Sequence, residues 1–235
     1  NQVDSYSKNK VKTWSESLLR SLEMIHEEYI LFILEDLFLN RAVNEQMIKK
    51  FVHRMEIEKI SILYLTDQST SQVIYNGTND DIIEVDQNAN NRISALTAIW
   101  NKKAFYKYLI PRENPWEFEI YGSRRANFTI DKIYSVNPYK YNHQSNLILS
   151  HVYPTGITRG KWVQNVLPLF EEHKINMDFE KRGFYEANQS SSFIARVKNK
   201  MGLKKIFISI INKYHFIKFL IYQKKINISK YRLKN

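Results

Sequence analysis

Two adjacent carboxylates, Glu35 and Asp36, directly follow an apolar run of five residues, 30–34. Such a run, bounded by charge, predicts a strand buried on both faces, as in the parallel sheet of an α/β fold. Open α/β sheets bind their ligands at the carboxyl ends of their strands. Carboxylates there are hard oxygen ligands that suit Mg²⁺ or Mn²⁺ carrying a nucleotide diphosphate. The pair also fits a solvated strand end without a ligand, so both interpretations stay open.

Several predicted elements would position this pair. Thr13 fits the N-cap of an amphipathic helix that begins with a capping box, and Asn44 fits the cap of a second helix that runs to about residue 55. The segments 29–34 and 60–65 carry apolar residues on both faces and are predicted strands. Helices that alternate with buried strands indicate an α/β fold.

The rest of the chain carries weaker patterns. The stretch 66–91 is polar and predicts loops with one short hairpin near 73–75. Pro111 and Pro115 are expected to interrupt the chain. Further predicted elements are strands at 92–100 and 146–152, helices at 102–109 and 161–172, and a turn or loop that holds Gly156, Gly160 and Lys161.

The charge of the chain is unevenly distributed. Residues 187–235 hold 12 of the 35 Lys and Arg residues and none of the 24 Asp and Glu residues, so the net charge of +11 belongs to this tail. The preceding part is close to neutral, which argues against a body that binds nucleic acid. The chain has no Cys, which excludes disulfides and Cys zinc sites. No apolar run approaches the ~20 residues that span a bilayer.

Three segments are more specific together than any one alone. In chain order they are an acidic strand end at 34–38, a strand with a basic exit at 92–102, and a tryptophan with two carboxylates at 113–119, followed by Gly-Ser-Arg-Arg at 122–125. This order resembles nucleotide-sugar-dependent glycosyltransferases of the GT-A type, most of all a bacterial group from surface-polysaccharide gene clusters. The likeness spans roughly 13–165 and includes Trp14-Ser15, Ala98-Ile99-Trp100-Asn101 and Gly160-Lys161-Trp162.

The resemblance implies a metal site. Glu35-Asp36 takes the place of the GT-A Asp-x-Asp motif, where Mn²⁺ or Mg²⁺ bridges the diphosphate of a nucleotide-sugar donor and neutralises the leaving group. Residue 37 is Leu instead of Asp, so Asp36 is the expected direct ligand and Glu35 is expected to act through water. His151 is a further candidate ligand for the metal or the phosphate, with a structural histidine as the alternative.

The resemblance also implies an acceptor site. Glu117 and Glu119 are its catalytic candidates, one of them as the general base of an inverting transfer to a hydroxyl, with a surface ion pair as the alternative for each. In an extended segment both would lie on one face, with Phe118 opposite. Trp116 and Trp100 are candidates to bind the sugar, although core packing is the alternative for each.

Three cations are implied to contact the donor. Arg124, Arg125 and Lys161 would bind its diphosphate through charge-assisted hydrogen bonds. A solvated role is the alternative for the two arginines.

The predicted fold is accordingly α/β and GT-A-like (Rossmann-like), a mixed sheet with flanking helices. A GT-A sheet begins with a strand and helix that grip the nucleotide base, and nothing before Trp14 supplies them. About 50 residues are therefore expected to be missing upstream, an estimate based on one βαβ unit plus a loop. The expected organisation is an incomplete catalytic domain at 1–186 and a basic amphipathic helical tail at 187–235.

The tail suggests where the enzyme works. Apolar residues interleave with Lys and Arg over 192–235, a pattern that suits a helix on an anionic membrane surface. We therefore expect a peripheral protein on the inner face of the cytoplasmic membrane, acting on a lipid-linked or polysaccharide acceptor and not on nucleic acid. Two other interpretations stay open: a non-catalytic α/β scaffold whose tail docks to a membrane or a partner, and a metal-dependent phosphoryl-transfer or nuclease enzyme.

Overall fold

A five-stranded mixed sheet with helices on both faces is present in the computed structural model, which describes residues 13–66, 79–142 and 148–186. In chain order the elements are α1 (Trp14–Met24), β1 (Tyr29–Phe32), α2 (Glu45–Glu58), β2 (Ile60–Tyr64), β3 (Ile82–Glu84), β4 (Ala98–Asn101), α3 (Lys102–Tyr108), α4 (Pro115–Ala126), β5 (Lys132–Val136), β6 (Ile157–Thr158), β7 (Lys161–Trp162), a 3₁₀ turn (Gln164–Val166) and α5 (Leu167–Glu172). The predicted hairpin at 73–75 and the tail at 187–235 lie outside the described residues.

The strand order of the sheet is β1-β4-β2-β5-β3. Only β2 and β5 run parallel, and the other neighbouring strands are antiparallel. Ala98 of β4 lies opposite Phe32 of β1 on one side and opposite Tyr64 of β2 on the other. The carboxyl ends of β1, β2 and β5 therefore lie at the same edge of the sheet. The α/β prediction with a mixed sheet is confirmed.

Strand β1 differs from its prediction as a strand buried on both faces. It lies at the edge of the sheet with β4 as its antiparallel neighbour, and Leu31 is 36% exposed. Ile30 and Phe32 pack against one core cluster, while Tyr29 packs against the other. Both core clusters contact this strand, which accounts for its apolar residues on both faces. It remains partly exposed because it is an edge strand.

Two hydrophobic clusters cover opposite faces of the sheet. One holds α1, α3 and α4 against the sheet, and its centre is Trp100, which stacks on Phe105 at 4.5 Å between ring centroids. The other packs Phe51 and Met55 of α2 against the sheet. A third, smaller cluster includes Trp162 and Phe170, and Phe38 packs against it. Phe38 thus links the chain after β1 to this smaller unit.

Local helix signals are confirmed. The Thr13 side chain accepts a hydrogen bond from the backbone of Glu16, and Glu16 returns one in a complete capping box at α1. Asn44 caps α2 through the backbone N–H of Met47, as predicted. The predicted helix at 102–109 is present as α3.

Other local predictions are wrong. Of the strand predicted at 92–100 only β4 forms, because the residues before it bond to side chains of β2 and α4 instead of to a neighbouring strand. Within the described part of 146–152, one isolated bridge joins His151 to Leu39. The helix predicted at 161–172 is divided into β7, the 3₁₀ turn and α5. A hairpin turn precedes β7, with positive φ at Arg159 and Gly160.

The segment that follows Asn114 is helical, which corrects the extended conformation predicted there. Asn114 is the N-cap of α4, Pro115 stands in the first turn, and Glu117 completes a capping box. This Asn-Pro-x-Glu order is a helix-start signature, and here the proline begins the helix instead of interrupting it.

Among the described residues, no helix is both long enough and apolar enough to cross a membrane.

An ion pair lies inside the core below α4. Arg125 is 1% exposed and donates to the two carboxylate oxygens of Glu113 at 2.7 and 2.8 Å. It also donates to the carbonyl of Tyr108 at 3.0 Å. The ion pair therefore joins the last turn of α4 to the end of α3 and to the turn between the two helices.

Breaking this pair from one side should destabilise the fold strongly. Arg125→Met leaves the Glu113 carboxylate buried without its guanidinium, so we expect the free energy of unfolding to fall by about 3–5 kcal/mol. The double variant Glu113→Met/Arg125→Met should lose less than the sum of the two single losses. Urea unfolding followed by circular dichroism measures all three. Arg124→Met is the matched control, and an equal loss in this neighbour would contradict the argument.

A more exposed ion pair should make stability depend on acid pH. Arg54 donates to both carboxylate oxygens of Asp80 at 2.5 and 2.8 Å, and its guanidinium lowers the pKa of Asp80 to about 2. Because the folded-state pKa lies below the ordinary value of 3.8, the stabilisation is complete above that value and disappears as the pH falls through about 2. The Asp80 side chain is 41% exposed, so solvent screening limits the effect to at most about 1 kcal/mol.

The substitution Asp80→Asn tests this dependence. We expect the variant to be less stable than the parent chain at neutral pH, and the difference to shrink as the pH is lowered toward 2. Urea unfolding of both proteins over a pH series measures it. A difference that stays constant over the series would contradict the assignment.

Candidate functional site

The two carboxylates that follow β1 occupy the centre of a tight turn. The backbone N–H of Leu37 donates to the carbonyl of Leu34 at 3.2 Å, so Glu35 and Asp36 are the two central residues. We call residues 34–37 the acidic turn. Glu35 is exposed and Asp36 is half-buried. The turn presents two oxygen-rich side chains at the carboxyl edge of the sheet.

The acidic turn is held by a segment distant in sequence. The Thr155 hydroxyl donates to Oδ2 of Asp36 at 2.8 Å, and the backbone N–H of Gly156 donates to the Asp36 carbonyl at 2.8 Å. Val152 donates from its backbone to the carbonyl of Phe38 at 2.9 Å. These bonds fix the backbone of the turn. Within the described residues, no hydrogen bond engages Oδ1 of Asp36, so only one of its two carboxylate oxygens has a hydrogen-bond partner there.

Gly156 is required by close packing. A Cβ atom added there would lie 2.2 Å from Cδ2 and 2.4 Å from Cε2 of the Phe38 ring. Phe38 packs into the small cluster with Trp162 and Phe170 and has little room to move. The glycine therefore allows residues 155–156 to lie directly against the acidic turn.

Gly156→Ala should separate the two segments. We expect the free energy of unfolding to fall by about 1–3 kcal/mol because the methyl group overpacks the Phe38 ring. The variant Phe38→Ala lacks the ring. In that background, Gly156→Ala should lower the free energy of unfolding much less than it does in the parent chain. Urea unfolding of the parent chain, the two single variants Gly156→Ala and Phe38→Ala, and the double variant completes this double-mutant cycle. A methyl cost that is the same with and without the ring would contradict the packing argument.

Glu119 lies at the same edge of the sheet. Its Oε1 accepts hydrogen bonds from the Ser94 hydroxyl at 2.7 Å and from the Ala95 backbone at 2.8 Å. The chain that leaves β1 and the chain that enters β4 run side by side, because Phe32 lies opposite Ala98. The acidic turn and the segment tied to Glu119 therefore reach the edge next to each other. Within the described residues, no hydrogen bond engages Oε2 of Glu119.

Glu117 has a different place. Its carboxylate accepts from the backbone N–H of Asn114 at 3.0 Å and thereby completes the cap of α4. Two residues apart on a helix, Glu117 and Glu119 point about 200° apart, so the predicted common face is wrong. Glu117 thus belongs to the helix cap, whereas Glu119 lies at the edge of the sheet that carries the acidic turn.

His151 lies on the strand-like segment beside the residues after the acidic turn. It forms the isolated bridge with Leu39 and is 8% exposed. In the described parts of the chain, no three His, Cys, Asp or Glu side chains form a group that could hold a metal ion. A metal at the acidic turn would thus need donor oxygens from a substrate and water. That is common for Mg²⁺, which is often bound by one or two carboxylates plus substrate phosphates, so the exposed carboxylate of Glu35 and the Oδ1 of Asp36 fit this kind of site.

The three predicted phosphate contacts are not brought together. Arg125 is in the core with Glu113, which corrects its assignment to a ligand. Arg124 is half-buried on α4, with its guanidinium 5.6 Å from the centre of the Tyr121 ring. Lys161 is exposed at the start of β7. It lines an open cavity of about 350 Å³ with Arg159, Tyr185 and Glu186.

The two candidate sugar-binding tryptophans lie in different surroundings. Trp100 is 0% exposed and packs against three aromatic residues of α3 and α4, so it is a core residue and not a sugar platform in this arrangement. Trp116 is 71% exposed in the first turn of α4. Only the second ring offers a face to a ligand.

Sequence reasoning missed Thr155, Ser94 and Arg159. Thr155 and Ser94 bond to carboxylates far away in the sequence, and no local pattern indicates such a pair. Arg159 could have been found, because it precedes Gly160 in a turn that also carries Lys161.

In comparisons with known proteins, no family model matches the chain, and neither a curated protein nor a solved structure matches it significantly.

Proposed function

We propose that the protein is a metal-dependent glycosyltransferase that moves a sugar from a nucleotide-diphosphate donor to a hydroxyl of a growing surface glycan. The observation that carries the proposal is the acidic turn at the carboxyl edge of the sheet, together with Glu119 of α4, whose carboxylate is hydrogen-bonded to the segment that enters β4 at this edge. The order of the GT-A-like motifs along the chain supports it.

The acidic turn would hold the metal. Oδ1 of Asp36 and the exposed carboxylate of Glu35 would be its protein ligands, directly or through water. When bound, Mn²⁺ or Mg²⁺ supplies a Lewis acid that neutralises charge on the leaving diphosphate. Thr155 orients Asp36 by donating to its other oxygen, Oδ2.

The hairpin of β6 and β7 would bind the diphosphate. Thr155 and Gly156, which bond to Asp36, directly precede β6, so the hairpin cations Arg159 and Lys161 belong to the unit that holds the acidic turn. Charge-assisted hydrogen bonds from these cations would neutralise phosphate oxygens. Arg159 thereby takes the place that the resemblance assigned to Arg125.

Glu119 would act as the general base of an inverting transfer. Its Oε2 takes the proton of the acceptor hydroxyl while the hydroxyl oxygen forms a bond to the anomeric carbon of the donor sugar. The bond from that carbon to the diphosphate oxygen breaks, and the diphosphate leaves with the electron pair. Ser94 and Ala95 keep the carboxylate in place through Oε1.

The cellular setting rests on the sequence alone. We propose that the basic residues of 192–235, which lie outside the described part of the chain, attach the protein to the anionic inner face of the cytoplasmic membrane. A lipid-linked acceptor would be accessible there.

Thermal unfolding with Mn²⁺ and a panel of UDP, GDP and CMP compounds tests the function. A ligand that binds only the folded protein raises the unfolding midpoint. We expect one nucleotide class to raise it in the presence of metal and not in its absence. No shift with any member of the panel would contradict the proposal and favour a non-catalytic scaffold. Cleavage of a phosphodiester without a sugar donor would favour a phosphoryl-transfer enzyme instead.

A further inference from the structure

An asparagine-rich loop lies beside α4, outside the residues assigned to transfer. Residues 86–92 form two consecutive turns, closed by hydrogen bonds from Ala89 to the Asp86 carbonyl and from Arg92 to the Ala89 carbonyl. Asn88, Asn90 and Asn91 are exposed on these turns. No described residue hydrogen-bonds to their side-chain amides. The loop thus presents three amide groups to the outside.

Both ends of this loop are fastened to the end of α4. At the start, Nε2 of Gln87 donates to three carbonyls at distances of 3.1–3.2 Å, those of Ala126, Asn127 and Thr129. At the far end, the Ser123 hydroxyl exchanges hydrogen bonds with the backbone of Ile93 at 3.0 Å in both directions. The backbone that carries the amides is therefore held in place, so a ligand has only their side chains to order.

Arg92 provides a third attachment inside the fold. It is 1% exposed and donates to the carbonyls of Val85 and Asp131 at 2.5 and 3.0 Å. The guanidinium thus joins the base of the loop to the sheet. Its role is to hold the loop in position, because a side chain so deeply buried cannot reach a ligand.

A shallow depression of about 200 Å³ opens between the loop and α4. Its lining includes Asn88, Asn90, Asn91, Ile120, Arg124 and Asn127. Trp116 lies one helical turn before Ile120, on the same face of α4. The surface therefore combines side-chain amides, one guanidinium, and an aliphatic and an aromatic side chain that are 47% and 71% exposed.

We propose that this depression binds a hydroxyl-rich saccharide. An amide both donates and accepts hydrogen bonds, as a sugar hydroxyl does, whereas a phosphate only accepts and would favour several cations over one. The exposed ring of Trp116 and the side chain of Ile120 provide an apolar surface for the C–H face of a sugar ring. Trp side chains are usually well covered in folded proteins. Core packing therefore does not explain the exposed ring of Trp116.

The proposed function gives this surface its role as the acceptor site. Ser123 lines the depression and follows Glu119 by one helical turn, so a glycan bound here would extend toward the proposed base. In this assignment, which rests on the proposed function, the depression holds sugar units of the acceptor that do not react. The binding itself requires neither metal nor donor and can be measured without them.

Titration of the full chain with a panel of free hexoses, N-acetylhexosamines and deoxyhexoses, without metal or nucleotide, tests the site. We expect at least one sugar to shift the side-chain amide signals of Asn88, Asn90 and Asn91 in a nitrogen–proton correlation spectrum and to change tryptophan fluorescence. The triple variant Asn88→Ala/Asn90→Ala/Asn91→Ala should bind that sugar at least about tenfold more weakly, as expected for several lost hydrogen bonds. Trp116→Ala should weaken binding as well.

Matched controls are available in the same chain. Asn176→Ala removes another exposed asparagine, and Phe128→Ala removes another exposed aromatic ring, so both should leave sugar binding unchanged. No response to any sugar in the panel by the folded protein, or unchanged binding in the triple variant, would overturn the proposal. Asp36→Asn should keep sugar binding even where transfer is lost. Sugar binding without any metal–nucleotide effect would overturn the proposed function and leave the saccharide site standing.

Discussion

Asp36→Asn should remove metal-dependent sugar transfer while leaving the protein folded. We expect kcat/KM to fall at least about a hundredfold, equivalent to about 2.7 kcal/mol of lost transition-state stabilisation. The amide oxygen of asparagine can still accept the Thr155 hydroxyl, so the acidic turn should persist. What the variant loses is the negative charge at the position proposed for the metal. The measurement is transfer from the donor class identified by thermal unfolding, together with the midpoint shift itself.

The comparison with nearby and distant carboxylates sharpens this prediction. Glu35→Gln should cause a smaller loss than Asp36→Asn, because Glu35 is exposed and is expected to contact the metal through water. Asp178→Asn removes an aspartate that also accepts backbone hydrogen bonds in a turn, and it should change neither transfer nor the midpoint shift. Full activity in Asp36→Asn would eliminate the acidic turn as the metal site.

The parts of the fold that were predicted correctly depend on neighbours in sequence. The cap at Thr13 needs only Glu16, and the cap at Asn44 needs only the helix it begins. The signature at Asn114 is equally local, and its helix was missed only because Pro115 was treated as an interruption and not as a first-turn residue. Such features follow from short-range backbone chemistry.

The errors come from long-range pairing. The apolar run at 30–34 would suit the centre of a parallel sheet, but the chain places it at an edge, and no property of the run itself specifies its neighbours. Arg125 and Arg124 are adjacent in sequence, yet only Arg125 faces the core and meets Glu113 there. The helical period of α4 decides which arginine is buried. Because the predicted conformation of this segment is wrong, the assignment of Arg125 to the diphosphate is wrong as well.

The candidate site also divides into residues that local sequence patterns indicate and residues that depend on long-range contacts. The sequence indicated Asp36 because a charge pair at the end of an apolar run is visible locally. It did not indicate Thr155, which is 119 residues away and touches Asp36 only because Gly156 lets the two segments approach. It also could not rank Glu117 against Glu119, since that choice depends on the helix and on the position of Ser94.

Replacing Glu119 with glutamine should separate its two roles. In Glu119→Gln the side-chain carbonyl oxygen can still accept from Ser94 and Ala95, so the segment before β4 stays in place. The side chain can no longer take a proton from an acceptor hydroxyl. We therefore expect kcat to fall by a factor of about 10²–10⁴ with little change in KM for the donor. Steady-state kinetics on the folded variant measures this division between kcat and KM.

Three further variants make the result specific to the base role. Glu119→Ala should also destabilise the fold, by about 1–3 kcal/mol, because the buried Ala95 N–H loses its acceptor. Ser94→Ala keeps the carboxylate and should lower kcat less than Glu119→Gln, since it weakens only the positioning of Glu119. Glu117→Gln changes the helix cap and should leave kcat nearly unchanged. If Glu119→Gln keeps full kcat, the carboxylate is a positioning group for the segment before β4, and the proton of the acceptor must be taken by another group at this edge.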